Sequence, residues 1–155
     1  MIFVTIGTQA PFDRFIRIID EVAPLIDEEI IAQVYKCNFT PQNIKTVDFL
    51  APDEFNELFE KANTIVSHAG MGTILSALQK HKPIIIFPRI AALGEHRNEH
   101  QLATARKFKE LGTIYVAMDE QELKTLILRK DLVSLNEIGA NASESLILSL
   151  EEFIG

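Results

Sequence analysis

Hydrophobic positions in this chain fall into two alternating patterns, short apolar runs and longer stretches with apolar residues every three or four positions. Short runs bounded by glycine, proline or polar residues are typical of buried strands, and the longer spacing is typical of amphipathic helices. The alternation therefore predicts an α/β fold with a mainly parallel sheet. The predicted strands are residues 2–6, 29–37, 44–50, 64–67, 83–88 and 113–118.

Helices are predicted between and after these strands, at residues 12–26, 52–62, 70–78, 102–111, 120–132 and 143–154. The run 83–88 is apolar at every position, which suits a central strand covered by helices on both faces. Gly112 is expected to end the helix before it, because glycine readily adopts the left-handed conformation of a helix terminus. We therefore expect one doubly wound, Rossmann-like domain over residues 1–155, with no internal repeat.

The amino-acid composition excludes some functions but says little more about the fold. The 155 residues carry 15 Lys and Arg against 22 Asp and Glu, a net charge of −7. This balance argues against a protein that holds nucleic acid or anionic lipid by bulk electrostatics, but it permits a small basic pocket.

Localisation is expected to be cytoplasmic. The chain begins without the basic segment and long apolar core of a signal peptide, and no run approaches the roughly 18 apolar residues of a membrane span. Cys37 is the only cysteine. It is interpreted as a small buried residue of a protein in a reducing compartment, because it has no partner for a disulfide.

Three polar loops are expected to meet at one edge of the sheet. They are Gly7-Thr8-Gln9-Ala10, the segment from Ser67 to Thr73, and residues 89–101. In an open α/β sheet, ligands bind beyond the carboxyl ends of the strands, where such loops lie. Loops at a shared edge can contact one ligand.

The segment from Ser67 to Thr73 has two interpretations. Gly70 and Gly72 follow a strand and open a helix, which allows close backbone approach and offers a helix N-terminus to a phosphate. The Ser67 and Thr73 hydroxyls would add hydrogen bonds. Alternatively, the glycines only form a tight turn and Thr73 caps the helix. The segment is not a full dinucleotide fingerprint, because Leu75 stands in place of the third glycine.

The third loop also has competing interpretations. It is either a solvated loop in which Asn98 caps the next helix, or part of a ligand site. His96, Glu99 and His100 formally match the His-x-x-Glu-His pattern of a zinc hydrolase. That chemistry requires both histidines on one face of a helix and a third metal ligand, and Gly94 beside the first histidine argues against it.

Arg89, directly after the central strand, is the candidate cation of this edge. It would pair with a phosphate or sugar carboxylate, or form an ordinary ion pair with Glu95 or Glu99. No Ser-His-Asp or paired-carboxylate arrangement can be assigned from spacing. The residues alone therefore predict a nucleotide or phosphosugar binder without an evident catalytic base.

Several motifs in order carry a family resemblance. They are Phe3-Val4-Thr5-Ile6-Gly7-Thr8-Gln9 with Phe12-Asp13, Ser67-His68-Ala69-Gly70-Met71-Gly72-Thr73, Pro83-Ile84-Ile85-Ile86-Phe87-Pro88-Arg89, Gly94-Glu95-His96 and His100-Gln101. Over about residues 1–128 the chain resembles the carboxyl-terminal, donor-binding half of GT-B glycosyltransferases of the UDP-GlcNAc transferase family. Within that family it is similar to the small free-standing subunit of two-part enzymes, which act on dolichol-linked sugar or build bacterial exopolysaccharide.

The resemblance implies a set of donor-binding residues. The loops at Gly7 and His68 would surround the diphosphate and sugar, the Phe49-Leu50 backbone would read uracil, and His100-Gln101 would contact the diphosphate and sugar. Family members usually carry a glutamate at the position of Ser76, where it holds the ribose hydroxyls. With serine there, the ribose contact is weakened or passes to another residue. The full candidate set is Gly7, Thr8, Gln9, Phe49, Leu50, Ser67, His68, Ala69, Gly70, Met71, Gly72, Thr73, Ser76, Arg89, His96, His100 and Gln101.

The resemblance also implies a function. A UDP-sugar donor, UDP-GlcNAc or a related UDP-hexose, would transfer its sugar with inversion, without a metal or another cofactor. At 155 residues the chain is expected to be one half of the GT-B fold. The general base and lipid-linked acceptor would then belong to a separate membrane-associated subunit. The apolar face of residues 143–154 is expected to pack on its own domain, with an interface to the partner as the alternative. The alternative suggested by Ser76 is a nucleotide-sugar-binding or regulatory module without catalysis.

Overall fold

A parallel sheet is the centre of the fold in the computed structural model, which describes residues 1–7 and 10–135. Within those residues it has six strands, ordered β3-β2-β1-β4-β5-β6. All five pairings of neighbouring strands are parallel. This confirms the predicted α/β fold with a parallel sheet. The strands are β1 (Ile2–Thr5), β2 (Ile30–Gln33), β3 (Lys45–Val47), β4 (Thr64–His68), β5 (Ile84–Phe87) and β6 (Tyr115–Val116).

Helices connect the strands as the apolar spacing predicts, except between β2 and β3, which a loop joins. Gly112 ends the fourth helix in the left-handed conformation, with φ of 69°, which confirms its predicted role. None of the helices in the described part of the chain is long and apolar enough to cross a bilayer. The helices are α1 (Asp13–Val22), α2 (Pro52–Lys61), α3 (Met71–Gln79), α4 (His100–Leu111) and α5 (Glu120–Ile127), with short 3-10 turns at Ala23–Leu25 and Ala91–Leu93.

Two hydrophobic cores cover the two faces of the sheet. On one face, α1 and α5 pack against alternate strand residues such as Val4 and Ile85. On the other, α2, α3 and α4 pack against their neighbours, such as Phe3 and Ile86. Every residue of β5 is buried, because helices cover both of its faces. The doubly wound, Rossmann-like arrangement is therefore confirmed.

Several predicted elements are shorter in the structure. Strand β2 ends at Gln33 rather than at residue 37, because Tyr35 adopts a positive φ of 55° that turns the chain. Cys37 consequently lies in a loop, half-buried, and burial raises the pKa of its thiol. Strand β3 covers only Lys45–Val47 of the predicted 44–50, and β6 only Tyr115–Val116 of 113–118.

The end of the chain is described only in part. Helix α5 ends at Ile127 rather than at residue 132, because the polar run Arg129-Lys130-Asp131 offers no apolar face to continue it. The predicted helix at 143–154 lies outside the described residues.

The strand order places a crevice at one edge of the sheet. Strand β1 lies between β2 and β4, so the chain that leaves β1 enters α1 on one face, whereas the chain that leaves β4 enters α3 on the other. Two connections that diverge from neighbouring parallel strands leave a gap at the carboxyl ends of those strands.

The ring of Phe87 should be a major source of stability. It is fully buried and lies against Phe12 and Phe15, with ring centroids 5.9 and 5.7 Å away. We expect Phe87→Ala to lower the free energy of unfolding by about 3–5 kcal/mol, because a large cavity replaces the ring. The measurement is urea denaturation. The control is Phe49→Ala, which removes a ring that is 66% exposed and should change stability by less than about 0.5 kcal/mol. Equal effects of the two substitutions would contradict this account of the core.

Candidate functional site

A cavity of about 520 Å³ opens at the carboxyl ends of β1, β4 and β5. Its volume lies within the range typical of small-molecule sites, and its position is the crevice created by the strand order. The three loops expected to meet at this edge all contribute to it. The lining residues are Ile6, Gly7, Ala10, His68, Gly70, Gly72, Thr73, Arg89, Glu95, His96, Arg97 and Gln101.

The structure brings many of the candidate donor-binding residues together in this cavity, and it separates others. Phe49 is exposed after β3, whereas Leu50 and Ala69 are buried in the core. Thr8 and Gln9 lie outside the described residues. The candidates that line the cavity are Gly7, His68, Gly70, Gly72, Thr73, Arg89, His96 and Gln101, and the described candidates that do not are Phe49, Leu50, Ser67, Ala69, Met71, Ser76 and His100.

The N-terminus of α3 faces the cavity. Gly70 is its N-cap, and the first hydrogen bond of the helix runs from the Ile74 N–H to the Gly70 carbonyl at 3.2 Å. The N–H groups of the first turn therefore have no acceptor within the helix and are available to an anion. Thr73 lies inside this first turn, so the interpretation of Thr73 as the cap is wrong.

His68 occupies the space that two glycines leave free. Its Nδ1 lies 3.1 Å from the Ser67 hydroxyl oxygen. A Cβ on Gly70 would collide with the imidazole ring, and one on Gly7, whose φ is +78°, would lie 3.2 Å from Nε2. These glycines are therefore required by a neighbouring side chain as well as by the backbone turn. Gly72 is different, because a Cβ there would meet no protein atom within 4 Å.

The imidazole of His68 is neutral at physiological pH. Its pKa is lowered to about 4, mainly by burial, and the positive charge of Arg89 contributes to this lowering. A hydrogen bond with the Thr5 backbone raises the pKa and offsets part of the shift. A neutral imidazole has one N–H donor and one acceptor nitrogen. His68 can therefore hydrogen-bond to a polar ligand but contributes no fixed charge.

Arg89 is buried, with only 3% of its surface exposed. Its Nη2 donates to the carbonyls of Ile6 at 2.7 Å and Ala10 at 2.8 Å. Its Nη1 donates to the carbonyls of Pro11 at 2.7 Å and Glu95 at 3.3 Å. Burial lowers the pKa of Arg89, and the nearby Glu95 opposes this shift. The predicted ion pair with a Glu95 or Glu99 carboxylate is wrong, because backbone carbonyls take up the guanidinium.

Glu95 pairs instead with Arg14. Both carboxylate oxygens accept from Arg14, each at 2.8 Å, and Oε1 also accepts the Ile90 N–H at 3.0 Å. The Arg14 guanidinium lies 4.5 Å from the centroid of the Phe87 ring. Glu95 therefore ties its loop to α1 and to the aromatic core.

The zinc arrangement does not form. Helix α4 begins at His100, so His96 precedes the helix and the two histidines share no helical face. The N-cap of this helix is Glu99. Asn98, one residue before it, still stabilises the helix start, because its Oδ1 accepts the His100 N–H at 2.9 Å. Within residues 1–7 and 10–135, no group of three or more His, Cys, Asp or Glu side chains is placed to hold a metal ion.

Positive charge dominates the cavity despite the acidic composition of the chain. Arg89 and Arg97 line it, and the carboxylate of Glu95 is occupied by Arg14. Arg97 is exposed, and no carboxylate in the described part of the chain pairs with it. Arg97 is not among the candidate residues predicted from the sequence, because the motifs in its loop centre on the neighbouring histidines. Ile6, Ala10 and Glu95 also line the cavity although the candidate set leaves them out, and the first two carry no chemical signal beyond their position after β1.

Comparison with known proteins gives a family match over almost the whole chain. The model of the glycosyltransferase family 28 C-terminal domain matches residues 1–151. The "UDP-N-acetylglucosamine transferase subunit ALG13" of Homo sapiens is 27% identical over 125 residues, 74% of this chain and 11% of the relative. The protein of the same name from Eremothecium gossypii is 29% identical over 125 residues, 79% of this chain and 60% of the relative. The chain thus matches less than two thirds of the length of either relative.

Solved structures agree in fold. The NMR solution structure of ALG13 superposes with a TM-score of 0.62 at 20% identity, and the match covers 94% of both chains. MurG from Acinetobacter baumannii superposes with a TM-score of 0.52 at 14% identity, over 96% of this chain but 49% of that one. At these identities the likeness establishes the fold alone.

The partly buried His68 should make stability depend on pH. Its pKa is about 4 in the folded protein against an ordinary histidine pKa of 6.5, so the unfolded chain binds the extra proton between these values. Stability should therefore fall as pH drops from 6.5 to 4, by about 3 kcal/mol from this residue. We expect urea denaturation at pH 7 and pH 4 to show this loss. In His68→Gln, the fall in the free energy of unfolding between these pH values should be smaller than in wild type by the same amount. The exposed His81, replaced by Asn, serves as the control. An identical pH dependence in wild type and His68→Gln would contradict the burial argument.

Proposed function

The chain belongs to the glycosyltransferase family 28 C-terminal domain family, and from this premise we propose that it is the donor-binding subunit of an inverting glycosyltransferase that uses a UDP-sugar. The observation that carries the proposal is the cavity at the carboxyl ends of β1 and β4. It combines a helix N-terminus, a glycine open to the cavity and two arginines. The helix N-terminus, the open glycine and Arg97 favour contact with a diphosphate, whereas Arg89, whose donors are occupied by carbonyls, contributes only its positive charge.

The diphosphate would lie between α3 and the loop that carries Arg97. At the α3 end, the free N–H groups and the helix dipole attract negative charge, and Gly72 lets the ligand approach the backbone. At the other end, the exposed guanidinium of Arg97 has no carboxylate partner in the described residues and is available to a phosphate. These groups would stabilise the UDP that departs during sugar transfer.

The sugar is proposed to be N-acetylglucosamine or a related hexose. The support is that the human and Eremothecium gossypii relatives are named UDP-N-acetylglucosamine transferase subunits. Ser76 lies half-buried on α3, outside the cavity lining. The ribose contact that a glutamate makes in the family therefore falls to its shorter hydroxyl or to another residue. We also propose that the sugar is transferred without a metal ion.

The general base is proposed to lie in a partner chain. In the transfer, an acceptor hydroxyl attacks the anomeric carbon, the base takes its proton, and UDP leaves with the bonding electrons. Among the described residues that line the cavity, Glu95 is paired with Arg14, and the low pKa of His68 makes it a weak base. His96, the other histidine of the lining, is engaged with its own loop, because its Nδ1 lies 3.2 Å from the Asn98 carbonyl oxygen.

The partner is proposed to be a membrane-associated subunit that binds a lipid-linked acceptor and brings the chain to the membrane surface. Support comes from the size of the structural neighbours. The spinosyn forosaminyltransferase SpnP superposes with a TM-score of 0.56 at 17% identity, and the match covers 96% of this chain but only 37% of that one. The fold described here therefore corresponds to part of that longer chain, and the relatives' name, transferase subunit, supports a second chain as the source of the remainder.

We expect the isolated chain to bind UDP and to transfer no sugar until the partner is added. Calorimetry with UDP and with uridine measures the first part, and UDP should bind at least tenfold more tightly, about 1.4 kcal/mol, because the cavity favours the diphosphate. A transfer assay with the reconstituted pair measures the second. No affinity for UDP, with or without the partner, would contradict the proposal. Binding without transfer in the pair would favour the non-catalytic module that Ser76 suggests.

Gly72→Leu should separate binding from folding. The fold has room for a side chain at this position, since a Cβ there meets nothing within 4 Å, but that room is the cavity itself. We expect UDP affinity to fall at least tenfold and the melting temperature to remain within a few degrees of wild type. Gln79→Leu, at the exposed end of the same helix, is the matched control and should leave both unchanged. Wild-type affinity in Gly72→Leu would show that the segment is only a turn.

A further inference from the structure

We propose that Arg89 is a positioning residue, which fastens the loop after β1 to the loop after β5 and so holds two walls of the donor cavity together. In this role Arg89 does not bind the donor itself. The ligand-binding part of the proposal rests on the proposed function, whereas the structural part stands independently of it.

The carbonyl partners of Arg89 come from segments far apart in the chain. Ile6, Ala10 and Pro11 belong to the connection between β1 and α1, 78 to 83 residues away. Glu95 belongs to the connection between β5 and α4. The planar guanidinium carries its N–H donors in a rigid fork, so one side chain can hold several carbonyls in fixed directions. Both loops are thus attached to a single group.

Burial makes this attachment strong. A guanidinium removed from water must find hydrogen-bond acceptors, because leaving its donors unpaired costs several kcal/mol. Here the acceptors are backbone oxygens, and each planar peptide that turns its oxygen to Arg89 has its orientation set. The two loops therefore cannot relax separately without exposing unpaired donors of a buried charge.

Further contacts join the same attachment to the rest of the site. The Arg89 backbone N–H donates to Oε1 of Gln101 at 3.0 Å, and the guanidinium lies 4.8 Å from the centroid of Phe12. Glu95, whose carbonyl accepts from Arg89, is also held through its carboxylate by Arg14 of α1. Arg89 thus links the first turn of α4, the start of α1 and both loops.

Arg97 provides the contrast within the same cavity. It is exposed, and no hydrogen bond or ion pair ties its guanidinium to the described residues. Its charge is free to meet a phosphate, whereas the donors of Arg89 are occupied by carbonyls. The two arginines should therefore respond differently to substitution.

Chemical rescue tests the attachment directly. Arg89→Ala leaves a space lined by carbonyl oxygens, into which a small guanidinium ion fits. We expect amide hydrogen exchange at Ala10, Phe12, Asp13 and residues 94–98 to accelerate at least tenfold in this variant, while exchange in β1, β4 and β5 stays slow. Millimolar methylguanidinium should restore protection and UDP affinity together. Methylurea, which has a similar shape but no charge and fewer donors, should restore neither.

The controls distinguish attachment from general destabilisation and from direct donor binding. Arg106→Ala, at an exposed position of α4, should change nothing. Arg97→Ala should weaken UDP binding without accelerating exchange and without rescue by methylguanidinium. If Arg89→Ala does not fold, Arg89→Lys carries the test, because its ammonium keeps the charge but lacks the planar fork that holds all four carbonyls, and exchange at Ala10, Phe12, Asp13 and residues 94–98 should accelerate there too.

Three results would overturn the proposal. They are unchanged exchange in Arg89→Ala, acceleration spread evenly over the whole sheet, and wild-type loop protection in Arg89→Lys. If wild-type protein does not bind UDP, the proposed function fails, but the exchange and rescue measurements still decide whether Arg89 fastens the loops.

Discussion

The site depends on one topological constraint, the reversal of strand order between β1 and β4. Because β1 pairs in parallel with both β2 and β4, its connection to α1 and the connection from β4 to α3 must diverge to opposite faces of the sheet. The cavity is the space between them. The carboxyl end of β5 completes it, and so the loops that carry His68, Arg89 and Arg97 face a common volume.

The charge of this cavity depends on which side chains form ion pairs there, and not on the net charge of the chain. The chain carries a net charge of −7, yet the carboxylate of Glu95 is neutralised by Arg14 and His68 is uncharged. The arginines therefore remain as the effective charges, Arg89 fixed by carbonyls and Arg97 open to solvent. An acidic protein can in this way present a local site for a diphosphate, since short-range arrangement outweighs the distant surface charge that solvent and salt screen.

Particular residues show what sequence patterns can and cannot predict. The strand Ile84–Phe87 is evident from its unbroken apolar run, because burial on both faces leaves no polar position. The early end of β2 is not evident, because Tyr35 turns the chain without the glycine that such a φ normally favours. Gly70 is visible as part of a turn, but its need to clear the ring of His68 depends on how β4 places that ring.

The sequence by itself determined the alternation of strands and helices, the central buried strand and the three loops that meet at one edge. These follow from local periodicity and from glycines, which act within a few residues. Only the tertiary structure decided what Arg89 does, that Glu95 belongs to Arg14, and that Arg97 lines the cavity unpaired. The physical reason is that the contacts of Arg89 and Glu95 involve partners 78 to 83 residues away, several of them backbone carbonyls, which every residue carries and no pattern distinguishes.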